Sequence, residues 1–208
     1  MISILHYISQ ADHIANIQAA CDAGCNWIQL RMKDSTPEAV LPVALAARKI
    51  CEAYNATLII NDYPQVAKEV GAHGVHVGKQ DMTVAAAREI LGPGFIVGGT
   101  SNSFEDILQH AKDGADYVGL GPYRFTTTKQ KLSPILGLEG ISGIVHQLAS
   151  QGIQMPVIAI GGILLEDIPA LLAAGVHGVA VSGLITHADN RQAVVREIFA
   201  AGNLQHVQ

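Results

Sequence analysis

The chain has 208 residues, 49% of them hydrophobic and 15% charged, with a formal net charge of −5. That length and apolar content suit one continuous buried core and exclude a disordered chain, and the acidic balance, with lysines and arginines scattered or placed at strand ends, excludes a generic nucleic-acid surface. No apolar run nears the roughly 20 residues that span a bilayer, and the N-terminus lacks a basic, cleavable leader, so no membrane partner and a cytoplasmic location are the expectations.

In chain order, the first strand is expected from Ser3 to Ile8. The second apolar run, Ile28-Gln-Leu-Arg-Met-Lys33, puts Gln29, Arg31 and Lys33 on one parity, which in a period-two strand directs all three inward or to the rim. Inward cations are costly unless a ligand or carboxylates meet them. The plainer alternative is a salt-bridged core with the lysine reaching out to water. An amphipathic helix is then expected from Pro37 to Tyr54, with Val40, Val43, Leu45, Ala46 and Ile50 close to one face.

The third run ends in Asn61-Asp62 and the fourth in Asp81, so two aspartates from neighbouring strand ends can converge. Oxygen-only ligands suit Mg2+, which is usually held by one or two carboxylates plus substrate phosphate oxygens. Each aspartate also has a structural reading as a helix N-cap, Asp62 for a helix near Tyr63 and Asp81 for one near Thr83.

The fifth run, Ile96 to Thr100, and the sixth, Val118 to Pro122, precede a stretch from Tyr123 to Gly137 with neither helical nor strand period. An enlarged loop over the active-site mouth is expected there. Within it, Thr126, Thr128 and Lys129 offer donors to an anion, although a solvated loop can have the same composition. The seventh and eighth runs close in Gly161-Gly162 and Ser182-Gly183, positions where barrels commonly bind phosphate through backbone N–H groups; a pair of tight turns is the alternative.

A weak repeat ties these runs together: Asp22-Ala-Gly24, Glu69-Val-Gly71, Lys112-Asp-Gly114 and Ala173-Ala-Gly175 each put glycine just past a helix and begin a strand soon after. The repeat marks alternate strands, which gives eight. Strand and helix in alternation, with chemistry gathered at the strands' carboxyl ends, place the chain in the α/β class as a (β/α)8 TIM barrel, one catalytic domain over 1–208. Cys21, Cys25 and Cys51 are expected in helices as small buried residues, with no disulfide or zinc pattern among them. No nucleophile elbow, zinc-binding histidine pair or dinucleotide fingerprint occurs at a strand end. Of nine histidines, His76 alone has the parity of a ligand-facing position near Asp81, and it reads equally well as a core histidine.

Six motifs in order resemble the thiamine-phosphate synthase family over essentially the whole chain: Gln29-Leu-Arg-Met-Lys33, Asn61-Asp62, Gly74-Val-His-Val-Gly-Lys-Gln-Asp81, Gly121-Pro-Tyr-Arg-Phe-Thr-Thr-Thr-Lys129, Ala159-Ile-Gly-Gly-Ile163 and Gly178-Val-Ala-Val-Ser-Gly-Leu-Ile185. The resemblance implies a transferase of thiamine biosynthesis. It would couple 4-amino-2-methyl-5-hydroxymethylpyrimidine diphosphate to a (carboxy)thiazole phosphate, giving thiamine phosphate and pyrophosphate. By the same resemblance, Arg31, Lys33, Asn61 and Lys129 would hold the diphosphate as the catalytic set, and Asp62 and Asp81 the Mg2+. Gln29 and Thr100 would lie near the pyrimidine, Thr126 and Thr128 near the thiazole, and Gly162, Ser182 and Gly183 on the thiazole's phosphate. Its partners would be these small molecules, with a homo-oligomer left open.

Three positions differ from the family pattern. Lys79 stands where Gly-Gln-x-Asp has glutamine, Thr100 where serine is usual, and Gly183 where a serine commonly meets the phosphate. Two other readings stay open, namely a thiazole tautomerase of the same fold, which needs no diphosphate or metal site, and a non-catalytic barrel that binds thiazole or thiamine phosphate to regulate a partner. A sugar-phosphate isomerase or epimerase would need an acid-base pair across the substrate, which the sequence does not supply.

Overall fold

A computed structural model describes residues 2–79, 82–125 and 134–203. Eight parallel strands, β1 (Leu5–Ile8), β2 (Trp27–Leu30), β3 (Thr57–Asn61), β4 (Gly74–Val77), β5 (Ile96–Ser101), β6 (Tyr117–Leu120), β7 (Val157–Ile160) and β8 (Gly178–Val181), close into a barrel in sequence order. Closure is direct, since β1 pairs with β2 on one side and β8 on the other. The expected TIM barrel is therefore the fold. Two strands are shorter than the apolar runs suggest: β1 starts at Leu5, not Ser3, and β2 stops before Arg31, so Arg31 and Lys33 lie just past the strand end.

Helices α1 (His13–Asp22), α2 (Pro37–Ala53), α3 (Pro64–Glu69), α4 (Val84–Leu91), α5 (Phe104–Lys112) and α6 (Gly137–Ser150) follow the first six strands. A 3-10 turn at Leu165–Asp167 leads into α7 (Ile168–Ala173), and a four-residue α8 (Gly183–Thr186) precedes α9 (Arg191–Asn203). Gly24, Gly71, Gly114 and Gly175 all have positive φ, as the repeat required. Among the described residues, no helix is long and apolar enough to cross a membrane.

Helix α2 illustrates how local chemistry sets an element. Thr36 caps it by accepting from the Ala39 N–H, and Pro37 sits at its first position, where no N–H is needed. Its buried stripe is Val40, Ala44, Ala47 and Cys51. Leu45, expected on that face, is 47% exposed, because the true stripe follows the small residues that let α2 approach the strands closely. Cys25 also differs from expectation: it lies in the connection between α1 and β2, although it is buried like Cys21 and Cys51.

Two apolar cores result. The larger lies between strands and helices, where strands buried on both faces need continuous apolar sequence. The smaller fills the barrel itself with Ile8, Trp27, Ile59, Tyr117, Ile158 and Ala180. There His6 stacks on Trp27, ring centroids 3.8 Å apart and planes 6° off parallel, and Tyr117 meets Trp27 edge-on at 4.8 Å. Gly98 makes this possible, since a Cβ there would run into the Tyr117 ring. Truncating such an aromatic to alanine costs about 3–5 kcal/mol. This plug is the floor on which the polar groups above it stand.

Candidate active site

Above the plug, a cavity of about 850 Å³ opens at the carboxyl ends of the strands, a volume within the range of small-ligand sites. Its first wall comes from β2 to β4. Gln29, Arg31, Lys33, Asn61 and Asp62 all line it, as their parity and strand-end positions required. Lys33 forms an ion pair with Asp62, whose other carboxylate oxygen accepts from the Gly78 N–H at 3.3 Å. The inward lysine is thus met by a carboxylate, as the salt-bridged alternative foresaw, but at the cavity wall and not in a sealed core.

Asp62 holds φ 66°, a left-handed conformation that costs a non-glycine residue energy and that clusters at functional sites. It does not cap α3: the N-cap is Tyr63, and no side chain fills the role. The N-cap of α4 is likewise Thr83, accepting from the Ala86 N–H at 3.2 Å, and not Asp81. Next to Asp62, the buried Asn61 amide nitrogen has no hydrogen-bond partner among the described residues. An unmet buried donor costs about 1–3 kcal/mol, which an acceptor on a ligand would recover.

The middle of the cavity is set by β4 to β6. His76 is 7% exposed and joins Tyr117 Oη through Nδ1 and Thr100 Oγ1 through Nε2, each at 3.0 Å. Burial, and to a lesser degree the charge of Asp116, pushes the Tyr117 phenol well above its ordinary value. Burial first and the nearby His76 second push the His6 imidazole well below its own, so both floor residues are neutral. At the rim, Lys79 pairs with Asp106 at 2.6 Å, and that same carboxylate oxygen accepts from the Asn102 and Ser103 N–H groups. Burial alone would raise the Asp106 carboxyl, but Lys79 and those two N–H groups hold it below the usual range. Lys79 is therefore spent largely on tying the loop after β4 to the start of α5.

The opposite wall is built from backbone. Gly161 and Gly162 follow β7 with φ 101° and 69°, and Ser182 and Gly183 follow β8 where α8 begins. A Cβ on Gly162 would lie 2.9 Å from the Phe125 carbonyl oxygen and 3.0 Å from Arg124 Cβ, so only glycine fits under the loop after β6. Ser182 donates its hydroxyl to the Ile8 carbonyl at 2.6 Å, strapping β8 to β1. Arg124 reaches across from the β6 loop to Asp167 through two hydrogen bonds, 2.8 and 3.0 Å, and to the Gly162 carbonyl at 2.8 Å. Tyr123 adds a further bond to Asp167 at 3.2 Å. The start of the expected loop is thereby latched to the turn after β7.

Of the sequence-stated candidates, Gln29, Arg31, Lys33, Asn61, Asp62, Thr100, Gly162, Ser182 and Gly183 share one cavity. Asp81, Thr126, Thr128 and Lys129 lie outside the described residues. Sequence reasoning missed His6, Tyr117 and the Arg124–Asp167 latch. His6 and Tyr117 do carry a signal, since each lies in step with the inward positions of its strand, but an aromatic in a barrel strand reads first as core. Among the described residues, no group of three or more histidine, cysteine or acidic side chains could hold a metal by itself.

The sequence profile of a family described as "Thiamine monophosphate synthase" matches residues 2–185. The chain is 50% identical over 185 residues to the thiamine-phosphate synthase of Bacteroides fragilis, covering 89% of this chain and 91% of that one. It is 47% identical to that of Bacteroides thetaiotaomicron, with 95% and 96% covered. A solved structure, thiamine phosphate pyrophosphorylase from Pyrococcus furiosus, superposes with TM-score 0.83 at 29% identity, covering 96% of this chain and 95% of that one.

Proposed function

The chain belongs to the thiamine monophosphate synthase family, and on that premise we propose how its barrel mouth joins a pyrimidine diphosphate to a thiazole phosphate. The enzyme is a transferase acting on small molecules. The reaction breaks the bond between the pyrimidine's exocyclic methylene carbon and the diphosphate oxygen, and the electron pair leaves with pyrophosphate. The thiazole nitrogen then forms the new carbon–nitrogen bond. That nitrogen carries no proton, so the chemistry calls for neither a protein nucleophile nor a general base.

What the step does call for is neutralisation of charge growing on the departing oxygens. Arg31 and Lys33 supply cations at one wall, and beside them Asn61 offers an amide N–H that has no partner among the described residues. Lys129 would join them from the loop. The Asp62 carboxylate, fixed by Lys33 and the Gly78 N–H at the cavity wall, suits a hard cation completed by phosphate oxygens. Asp62 and Asp81 would hold Mg2+, which when bound supplies Lewis-acid stabilisation of the diphosphate.

Across the cavity, the backbone of Gly161, Gly162, Ser182 and Gly183 would receive the thiazole's phosphate, with Thr126 and Thr128 nearby. Gln29 and Thr100 line the same cavity and would face the pyrimidine ring. Departure first, giving a pyrimidine-stabilised carbocation that the thiazole captures, fits a site that offers charge and positioning and no nucleophile. The observation that carries this reading is the opposition of a cationic wall and a backbone wall across one cavity.

The test is to incubate the protein with both substrates, with Mg2+ or with chelator, and follow thiamine phosphate and pyrophosphate. Equal formation of both, lost on chelation, is the expected result. Thiazole-phosphate binding without product would move the reading to a tautomerase or a phosphate-binding barrel.

A further inference from the structure

The hydrogen bonds at the cavity floor run from Tyr117 through His76 to Thr100, and their direction is fixed at the buried end. The Tyr117 hydroxyl is fully buried and has one hydrogen to donate. Its hydrogen-bond partner among the described residues is His76 Nδ1. If Nδ1 carried the proton, it would donate to Tyr117, and the phenol's own hydrogen would be left inside the barrel with no acceptor. Native interiors avoid that arrangement.

Tyr117 therefore donates to Nδ1, and in the neutral ring the proton sits on Nε2 and is donated to Thr100 Oγ1. With its oxygen accepting from the imidazole, the Thr100 hydroxyl hydrogen is left to point into the cavity that this side chain lines. We propose that Tyr117 and His76 are positioning residues that make Thr100 a hydrogen-bond donor to an acceptor atom on the pyrimidine, a ring nitrogen in chemical class. The assignment of the pyrimidine to this part of the cavity rests on the proposed function above; the direction of the relay does not.

The glycines around the relay agree with a fixed geometry. A Cβ on Gly98 would strike the Tyr117 ring, and one on Gly119 would come within 3.3 Å of His76 Cε1. The Tyr117 ring is thus seated in a slot that only glycine leaves open, and His76 lies close over Gly119.

The test begins on the substrate-free enzyme. Long-range proton–nitrogen spectra of 15N-histidine-labelled protein, with His76 assigned by the signal missing from His76→Asn, report its tautomer. The Nε2–H form is expected, and the Nδ1–H form would overturn the relay whatever the enzyme's substrates are. In steady-state assays, Tyr117→Phe keeps the ring in its slot and removes the donor. It is expected to raise KM for the pyrimidine diphosphate about tenfold and to leave KM for the thiazole phosphate unchanged. Thr100→Ser should retain the wild-type value and Thr100→Val should match Tyr117→Phe. Equal rises in both KM values for Tyr117→Phe, or wild-type behaviour of Thr100→Val, would overturn the role given to the relay. Absence of product from the wild-type enzyme would instead refute the proposed function and leave the tautomer result standing.

Discussion

The two ends of the cavity are made of opposite materials. At the β2–β4 end, side chains make the wall: Arg31, Lys33 and Asn61, with Asp62 among them. At the β7–β8 end, the side chains are stripped away, leaving Gly161, Gly162 and Gly183 beside a serine whose hydroxyl is already committed to Ile8. Charged side chains strengthen their hold as charge grows on a departing group, so they act chiefly on the transition state. Neutral N–H groups on a rigid turn hold an anion that does not change, and so act on substrate and transition state alike. Under the proposed function the difference separates the phosphate that leaves from the one that is a handle: the cationic end should govern kcat, the backbone end KM.

The strongest attempt to break that division is Lys33→Ala. It removes a cation and the ion pair that this lysine makes with Asp62. We expect kcat to fall about 10²- to 10³-fold, the scale for losing one stabiliser of developing charge, with KM for the thiazole phosphate nearly unchanged. Asp62→Asn should fall by a similar factor and, in addition, require more Mg2+ for half-maximal rate, read from a magnesium titration at fixed substrates. A variant with full kcat and only a raised KM would mean the cations serve ground-state binding.

The complementary change is Gly162→Ala. The new methyl would press on the Phe125 carbonyl and on Arg124, in a backbone conformation that alanine adopts poorly. Displacing the turn by even a few tenths of an ångström misaligns its N–H donors. KM for the thiazole phosphate should rise about 10- to 100-fold, as expected for one lost or unmet hydrogen bond to a charged group. The rate at saturating substrates should stay within a few-fold of wild type. Collapse of kcat with KM intact would show that this end also responds to the chemistry.

The cationic end was legible in the sequence and the latch over the other end was not, for physical reasons. Gln29, Arg31 and Lys33 declare themselves because charge on inward parity needs an explanation, and Asn61-Asp62 because polar residues interrupt an apolar run at its end. The barrel was legible from its repeat, since glycine at positive φ after a helix is a local requirement. The fine placement of α2 was not, because Ala44 and Ala47 bury through close approach of the backbone, which hydrophobic pattern weighs lightly. The aspartates' capping readings failed because caps are settled by which oxygen reaches the first turn, and Thr83 does so for α4. Arg124 and Asp167 are far apart in sequence, one in the loop after β6 and the other in the 3-10 turn before α7, so no local signal links them. The Tyr117–His76–Thr100 relay spans three strands and depends on slots opened by glycines on β5 and β6, a tertiary fact that no single strand displays.

The smallest expected effect concerns that latch and sharpens the comparison by asking whether the backbone end is held shut electrostatically. Burial would raise the Asp167 carboxyl, but the paired hydrogen bonds from Arg124, with the Leu164 N–H and Tyr123, hold it below the ordinary carboxylate value. A carboxyl depressed on folding binds protons more readily in the unfolded chain. Its stabilisation is therefore complete at neutral pH, begins to fade as pH drops past the unfolded value of about 3.9, and is gone once pH has fallen through the lower folded value. Arg124 is 44% exposed, so solvent screens the pair, and Asp167→Asn should cost only about 1 kcal/mol near neutral pH. In denaturant titrations, wild type and Asp167→Asn should differ by that amount at pH 7 and converge in acid. KM for the thiazole phosphate should rise no more than a few-fold at pH 7, since the latch steadies Gly162 through its carbonyl alone. A difference that persisted unchanged into acid would mean that Asp167 acts through its hydrogen bond to the Leu164 N–H and not through its charge.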